Sequence, residues 1–315
     1  MQFMSEEQST ALITPEIAYT AVRGAFIAAA GGEATVFPAV MAHAGDPQNT
    51  FTIKSGSSPQ FAGVKIGSYW PGNVDIPRHG TTILLIDQHT GRVGAAVEAG
   101  LVNAYRTAAA DAVAADALAR PDATVLTVLG TGHQALHECL ALARIRPLEA
   151  IHVVARTAEH GERFCAELAE RGLPGRITPA EVACRAADII VTATTARAPL
   201  FEAGWVSSGT HVASMGSDQR GKQELPPDLL ETARLFCDLP GQSLTIGEFQ
   251  HIAALVADGT VTLTAIGDVL AGHAAGRRAP EDVTVFDSSG IALQDLAVAT
   301  ALLDARAGTT RDGQA

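Results

Sequence analysis

Leu129-Gly130-Thr131-Gly132-His133-Gln134-Ala135 is the stretch that most constrains this chain: it reads GxGxxA, follows an apolar run at 124–129 and opens a helical pattern. Context gives the pattern its meaning. Gly130 permits a tight turn, Gly132 lets a pyrophosphate come up to the backbone, and Ala135 allows close helix–strand packing. The N–H groups at the helix start favour the phosphate charge. The alternative is a glycine turn in an α/β protein that binds no nucleotide.

The surrounding grammar supports an α/β fold. From residue 121 onward, strand patterns fall at 124–129, 151–155, 188–193, 211–214, 234–237 and 283–286, with helical spacing between the first three. That order predicts a parallel sheet covered on both faces. A helix at 291–305, apolar nearly all round, must be buried, and the polar tail 307–315 is expected to be loose. Before residue 121 the rhythm differs. Thr14 and Pro15 mark the first helix, with Ile17, Val22, Ala25, Phe26 and Ala29 at helical spacing as far as Gly31. The period then changes from 3.6 to 2, and residues 50–54, 62–69, 81–87 and 93–98 predict antiparallel hairpins. An alanine-rich helix at 104–119 follows. At 315 residues the chain exceeds one usual core, so two domains are expected.

Composition narrows the function. Against 22 Lys and Arg stand 34 Asp and Glu, a formal charge of −12, and no basic block occurs. Nucleic acid and anionic membrane are therefore poor partners. No apolar run approaches the roughly 18 residues of a spanning helix, and MQFMSEEQST has neither a basic region nor an apolar core of a leader. A cytoplasmic location is expected. Cys139, Cys165, Cys184 and Cys237 lack CxxC spacing and read as buried free thiols. The ten histidines show neither HxH nor HExxH, so no catalytic metal is expected.

Several polar residues stand where chemistry is expected. At the end of the second strand an acid would hold the ribose 2′-hydroxyl of NAD; here Val154-Ala155-Arg156-Thr157 offers an arginine. Pairing of Arg156 with a 2′-phosphate favours NADP, with NAD possible if Arg156 instead stacks on adenine. Lys54 and Lys65 sit within strand patterns, alternating with Phe51, Ile53, Val64 and Ile66, so each is expected to point away from its strand's apolar face. Gly63, Gly67 and Ser68 around Lys65 suit a cavity better than a covered sheet; a solvated face is the alternative. Arg106 and Thr107 open the alanine-rich helix, and an arginine fork suits a carboxylate. Asp218 follows the strand at 211–214, where ligands bind beyond carboxyl strand ends.

The motifs GVKIGSYWPGN (63–73), RTAAADAVA (106–114), GTGHQA (130–135), GSDQRGKQEL (216–225) and VTVFDSSGIALQDLAVA (283–299), taken in order, resemble the ornithine cyclodeaminase/mu-crystallin family. The resemblance covers nearly the whole chain. It implies a homodimer in which residues 1–118 and 288–315 form an α+β substrate-binding and dimerisation domain, with a Rossmann domain at 119–287 inserted. It also implies that Lys65 and Arg106 hold a substrate α-carboxylate and that Asp218 is the acid/base, Lys65 sharing the catalytic role. Thr107, Gly130, Gly132, His133, Gln134, Arg156, Thr157, Thr194, Met215, Ser289 and Gly290 are the expected cofactor contacts. One departure is informative: family members commonly carry a further substrate-binding arginine before the first lysine strand, and residues 34–40 hold none. Phe37-Pro38, Lys54-Ser55-Gly56, Tyr69-Trp70-Pro71, His79 and 222–225 are instead similar to the iminosuccinate reductase/ketimine reductase branch, which adds Lys54 and His79 to the expected substrate contacts.

These parts suit NAD(P)H-dependent reduction of a small α-imino acid, iminosuccinate-like or another ketimine, to the L-amino acid, or the reverse dehydrogenation. Redox-neutral cyclodeamination of an ornithine-like substrate is one alternative. A non-catalytic, NADPH-dependent small-molecule binder is another.

Overall fold

In the computed structural model, which describes residues 1–312, the chain divides by its internal contacts into two units, Met1–Arg106 with Ile291–Ala315, and Thr107–Gly290. In the first unit, β1 (Gln2–Met4), α1 (Glu6–Leu12) and α2 (Pro15–Ala30) precede β2 (Thr35–Val36), β3 (Val40–His43), β4 (Thr50–Ser57), β5 (Ala62–Tyr69), β6 (His79–Ile86) and β7 (Val93–Glu98). The sheet runs β1-β7-β6-β5-β4-β2, with β3 also on β4; only β1, on β7, pairs parallel.

Local chemistry starts each helix. The Thr14 hydroxyl accepts from the Ile17 N–H, and Pro15 occupies the first helical position. Ala18, Val22, Ala25 and Phe26 form the buried face of α2, whereas Ile17 is only half-buried. Two elements precede this helix, so it is not the first. The signal for α1 was present: Ser5 and Gln8 exchange hydrogen bonds in a capping box.

The C-terminal helix (Ala292–Asp312) packs on α2 and across β4, β5 and β6. A Cβ on Gly56 or Gly63 would stand 3.0 Å from the Leu293 or Leu296 side chain, so the two glycines let the helix lie close. The lysines point away from the apolar residues of their strands as expected, but the face they share is a covered one. Lys54 and Lys65 lie on the covered face with Gly56 and Gly63, both buried, while Phe51, Ile53, Val64 and Ile66 take the other, half-buried face. The helix also runs on to Asp312, past the tail expected to be loose from 307; residues 313–315 of that tail lie outside the described residues.

From α3 (Gly100–Leu118) the chain enters the second unit. There β8 (Val125–Leu129), α4 (His133–Ile145), β9 (Ala150–Val154), α5 (Ala158–Ala169), β10 (Gly175–Ile177), α6 (Ala180–Ala186) and β11 (Ile189–Thr192) are followed by β12 (His211–Ser214), α7 (Pro227–Thr232) and β13 (Arg234–Cys237). Then come α8 (Pro240–Ile246), α9 (Ala253–Ala257), β14 (Leu263–Ala265), α10 (Ile266–Leu270) and β15 (Thr284–Asp287). All eight strands pair parallel in the order β10-β9-β8-β11-β12-β15-β13-β14. This is the Rossmann-type sheet. Every residue of β11, β12 and β15 is buried, as a sheet covered on both faces requires. Strand order reverses between β8 and β11, and ligands of doubly wound sheets bind outside the carboxyl ends at such a point. All four cysteines are free; Cys139, Cys184 and Cys237 are buried, but Cys165 is half-buried on the amphipathic α5. No helix among the described residues is long and apolar enough to cross a membrane.

Candidate functional site

In the second unit, Gly130 leaves β8 with φ +121°, a conformation that L side chains rarely adopt. A Cβ there would lie 2.7 Å from the Ala193 carbonyl oxygen and 3.2 Å from Thr194 Cγ2, so the turn after β8 sits directly beside the loop after β11. Gly132 is the N-cap of α4 and makes no side-chain cap bond; a Cβ on it would meet nothing within 4 Å. Open space, uncapped N–H groups and the positive end of a 13-residue helix fit a pyrophosphate. Ala135 is fully buried at the helix–sheet contact.

Others of the expected cofactor residues follow β8 and β9. Gln134, in the first turn of α4, donates to Glu138 at 2.7 Å, and His133 is exposed with its ring edge-on to His137. Burial, then the neighbouring His133, lowers His137 to about 4. Arg156 is exposed beyond β9, and Thr157 caps α5 by accepting from His160 N–H. Thr107 is buried on α3.

Buried acids tie the strand-end loops together. Glu224 Oε1 accepts from Thr194 N at 2.7 Å and Thr194 Oγ1 at 2.6 Å. Its Oε2 accepts from Thr192 Oγ1 at 2.8 Å and Gly216 N at 3.0 Å. One carboxylate thus joins the loop after β11 to the loop after β12, where Met215 is buried. Asp238 likewise accepts from Gly290 N at 2.7 Å and Ser288 Oγ at 3.2 Å, while Gln242 donates to Ser289 Oγ and the Gly290 carbonyl at 2.8 Å. Asp218 lies on the 216–225 loop, half-exposed, with Lys222 Nζ at 2.6 Å.

In the first unit the structure brings together Lys54, Lys65 and Arg106. The β4–β5 register sets Lys54 opposite Lys65. Lys65 Nζ donates to Asn103 Oδ1 at 2.5 Å and meets Asp295 Oδ1 at 3.1 Å. Arg106 donates from Nε to Asp295 Oδ1 at 3.1 Å, from Nη1 to Gln294 Oε1 at 3.3 Å and from Nη2 to Asn103 Oδ1 at 2.8 Å. Burial, then the charge of Arg106, lowers the Lys65 ammonium to about 7, against the pull of Asp295. Burial pushes Asp295 up, but Arg106 and Lys65 outweigh it and hold the carboxyl below the usual range. His79 is not part of this cluster: it opens β6 opposite Tyr69, exposed, with ring centroids 4.6 Å apart. Asn103, Gln294, Asp295 and Glu224 had not been singled out as site residues. An acid inside an apolar helix was the available signal for Asp295, since buried charges are almost always paired.

The profile of the Ornithine cyclodeaminase/mu-crystallin family matches residues 3–309. The chain is 38% identical over 308 residues to the iminosuccinate reductase of Paracoccus denitrificans, covering 96% of each. The crystal structure of that enzyme in complex with NAD+ superposes with a TM-score of 0.92 at 37% identity, covering 98% of this chain and 97% of that one. An archaeal alanine dehydrogenase dimer with bound NAD also gives a TM-score of 0.92, at 30% identity and with the same coverage.

Proposed function

The chain belongs to the ornithine cyclodeaminase/mu-crystallin family, and from that premise we propose that it reduces a small α-imino acid to the L-amino acid with NAD(P)H, or runs the reverse dehydrogenation. It is an oxidoreductase of C=N and CH–NH2 bonds. The observation that carries the reading is the buried pair Lys65 and Arg106. Of five guanidinium N–H donors three are engaged within the first unit, and of three ammonium donors two, which leaves two cations with donors for a carboxylate. Charge-assisted bonds of this kind contribute about 1.5–3 kcal/mol each.

NAD(P)H, when bound, supplies the hydride. Gly130, Gly132, His133 and Gln134 would hold its pyrophosphate, with Thr107, Thr157, Thr194, Met215, Ser289 and Gly290 around the rest and Arg156 at the 2′-position. Lys65 and Arg106 fix the α-carboxylate, so the imine carbon next to it is held in one orientation. Asp218, oriented by Lys222, holds the proton at the imine nitrogen that makes it an iminium.

The 38% identity to an enzyme named for iminosuccinate supports a dicarboxylic imine first, with Lys54 as a further cation for it. We read the protein as a cytoplasmic homodimer; exposed apolar side chains of the first unit, Phe37, Val40, Met41 and Ile86 among them, support a dimer surface there, and light scattering on the purified protein tests it. A scan of NADH and NADPH consumption with oxaloacetate, pyruvate or glyoxylate plus ammonium, and with cyclic imino acids, tests the reaction. Ammonia release from a diamino acid without net cofactor turnover would mark a cyclodeaminase instead, and no turnover with any of them would overturn the reading.

A further inference from the structure

Lys65 and Arg106 are like charges buried side by side, an arrangement that burial and mutual repulsion both oppose. Two oxygen atoms hold them there. Asp295 Oδ1 stands 3.1 Å from Lys65 Nζ and 3.1 Å from Arg106 Nε; Asn103 Oδ1 stands 2.5 Å from the same ammonium and 2.8 Å from Arg106 Nη2. Each bridges both cations, Asp295 from the C-terminal helix and Asn103 from α3. Only the Asp295 oxygen belongs to a charged group.

We propose that Asp295 is the positioning residue of the carboxylate clamp: its carboxylate bridges Lys65 and Arg106 and supplies the counter-charge that lets both cations stand together. The kinetic consequence rests on the reading of Lys65 and Arg106 as that clamp. The charged groups facing the Lys65 amine are Arg106 from α3, Lys54 from β4 and Asp295 from the C-terminal helix; the first two favour loss of its proton and the third opposes it. Asp295, ionised beside it, therefore holds the Lys65 midpoint at about 7, above where burial and the two cations alone would put it.

Two near-isosteric changes move that balance in opposite directions. Asp295→Asn keeps an oxygen at the bridge and removes the charge, so the Lys65 titration midpoint falls by about one unit, a tenfold change in proton affinity. Asn103→Asp adds a charge to the other bridging atom and raises the midpoint by a similar amount. A carboxylate at 295 that merely filled space would not produce the first effect. The midpoint is read by 13C NMR of lysine-labelled protein, with the Lys65 resonance assigned from Lys65→Met. In parallel, kcat/KM of each variant relative to wild type, taken across pH so that substrate titration cancels, falls at lower pH in Asp295→Asn and persists to higher pH in Asn103→Asp. A midpoint unmoved in a folded Asp295→Asn overturns the proposal. If Asp295→Asn does not fold, the double variant Asp295→Asn/Asn103→Asp, which moves the charge from one bridging atom to the other, decides: a folded protein with the midpoint near the wild-type value upholds the counter-charge, and a midpoint tenfold or more away from it in proton affinity overturns the proposal. Midpoints that move, together with a Lys65→Met enzyme of unchanged kcat/KM, uphold the counter-charge and reject the clamp reading.

Discussion

Arginine and lysine carry the same charge but not the same shape, so Arg106→Lys separates electrostatics from geometry at the clamp. The guanidinium spreads three hydrogen bonds over Asp295, Gln294 and Asn103 and presents its remaining N–H groups from a plane fixed by them. An ammonium on a flexible stem keeps the charge and loses the fork. We expect kcat/KM to fall at least tenfold, measured with whichever imino acid proves active; a value within twofold of wild type would remove Arg106 from the clamp. Arg156 tests the cofactor by the same kind of comparison. It is exposed beyond β9, where NAD-dependent Rossmann proteins place an acid. Arg156→Ala should raise KM for NADPH about ten- to hundredfold, the size of one charge-assisted bond of about 1.5–3 kcal/mol, and change NADH little. Wild-type preference for NADH, or equal loss of both cofactors, would make Arg156 a packing residue over adenine.

Between elements, Glu224 is the junction with the most direct consequence for the cofactor. Its two oxygens take donors from the loops after β11 and β12, and two of those donors are backbone N–H groups, of Thr194 and Gly216. Hydroxyl donors can turn to suit an amide; backbone N–H groups cannot. Glu224→Gln therefore leaves one loop facing an NH2 group across a buried contact, which costs about 1–3 kcal/mol. Part of that should appear as a roughly tenfold rise in the NAD(P)H dissociation constant, followed by cofactor fluorescence; unchanged affinity would reduce Glu224 to a residue of core stability. Neither Glu224 nor Asp295 was legible as a site residue, because a sequence shows that an acid lies in an apolar segment but not which oxygen meets which N–H. The parallel strands and the glycine turn were legible because burial on both faces and a helix N-terminus impose local patterns. Gly175–Ile177 and Leu263–Ala265 were missed since three residues are too few to show a period. The alternation of the lysine strands was legible, but not which face is covered: Phe51 and Ile53 look like a core face, yet it is the glycines opposite that admit the C-terminal helix.

Over the whole molecule, the buried ionisable groups make stability depend on pH with both signs. Glu224, Glu248, Asp287 and Asp111 are fully buried in the second unit, and burial raises all four, Glu248 and Asp111 to about 7. An acid raised on folding contributes stability that is complete below its unfolded value and is lost as pH rises through the folded one. His137 and His211, lowered by burial to about 4 and about 3, act oppositely: their contribution is present above about 6.5 and is lost as pH falls. The melting curve of the wild type alone therefore mixes opposed terms, and a difference isolates one of them. Both carboxylate oxygens of Asp111 on α3 are buried without a hydrogen-bond partner among the described residues, with the Glu138 carboxyl of α4 as the neighbouring acid, so burial favours the protonated form; Glu138 in turn accepts from Gln134 of the glycine turn. Asp111→Asn is neutral at every pH. Between an unfolded value near 3.8 and a folded one of about 7, the wild type loses on the order of 4 kcal/mol that the variant does not. Most of that range is crossed between pH 5 and 8, and for a chain of this size it corresponds to a shift of roughly 5–10 °C in Tm. Thermal melts of both proteins should give a Tm difference that moves steadily in favour of Asp111→Asn as pH rises from 5 to 8, and a difference constant over that range would show that burial does not hold Asp111 in its protonated form.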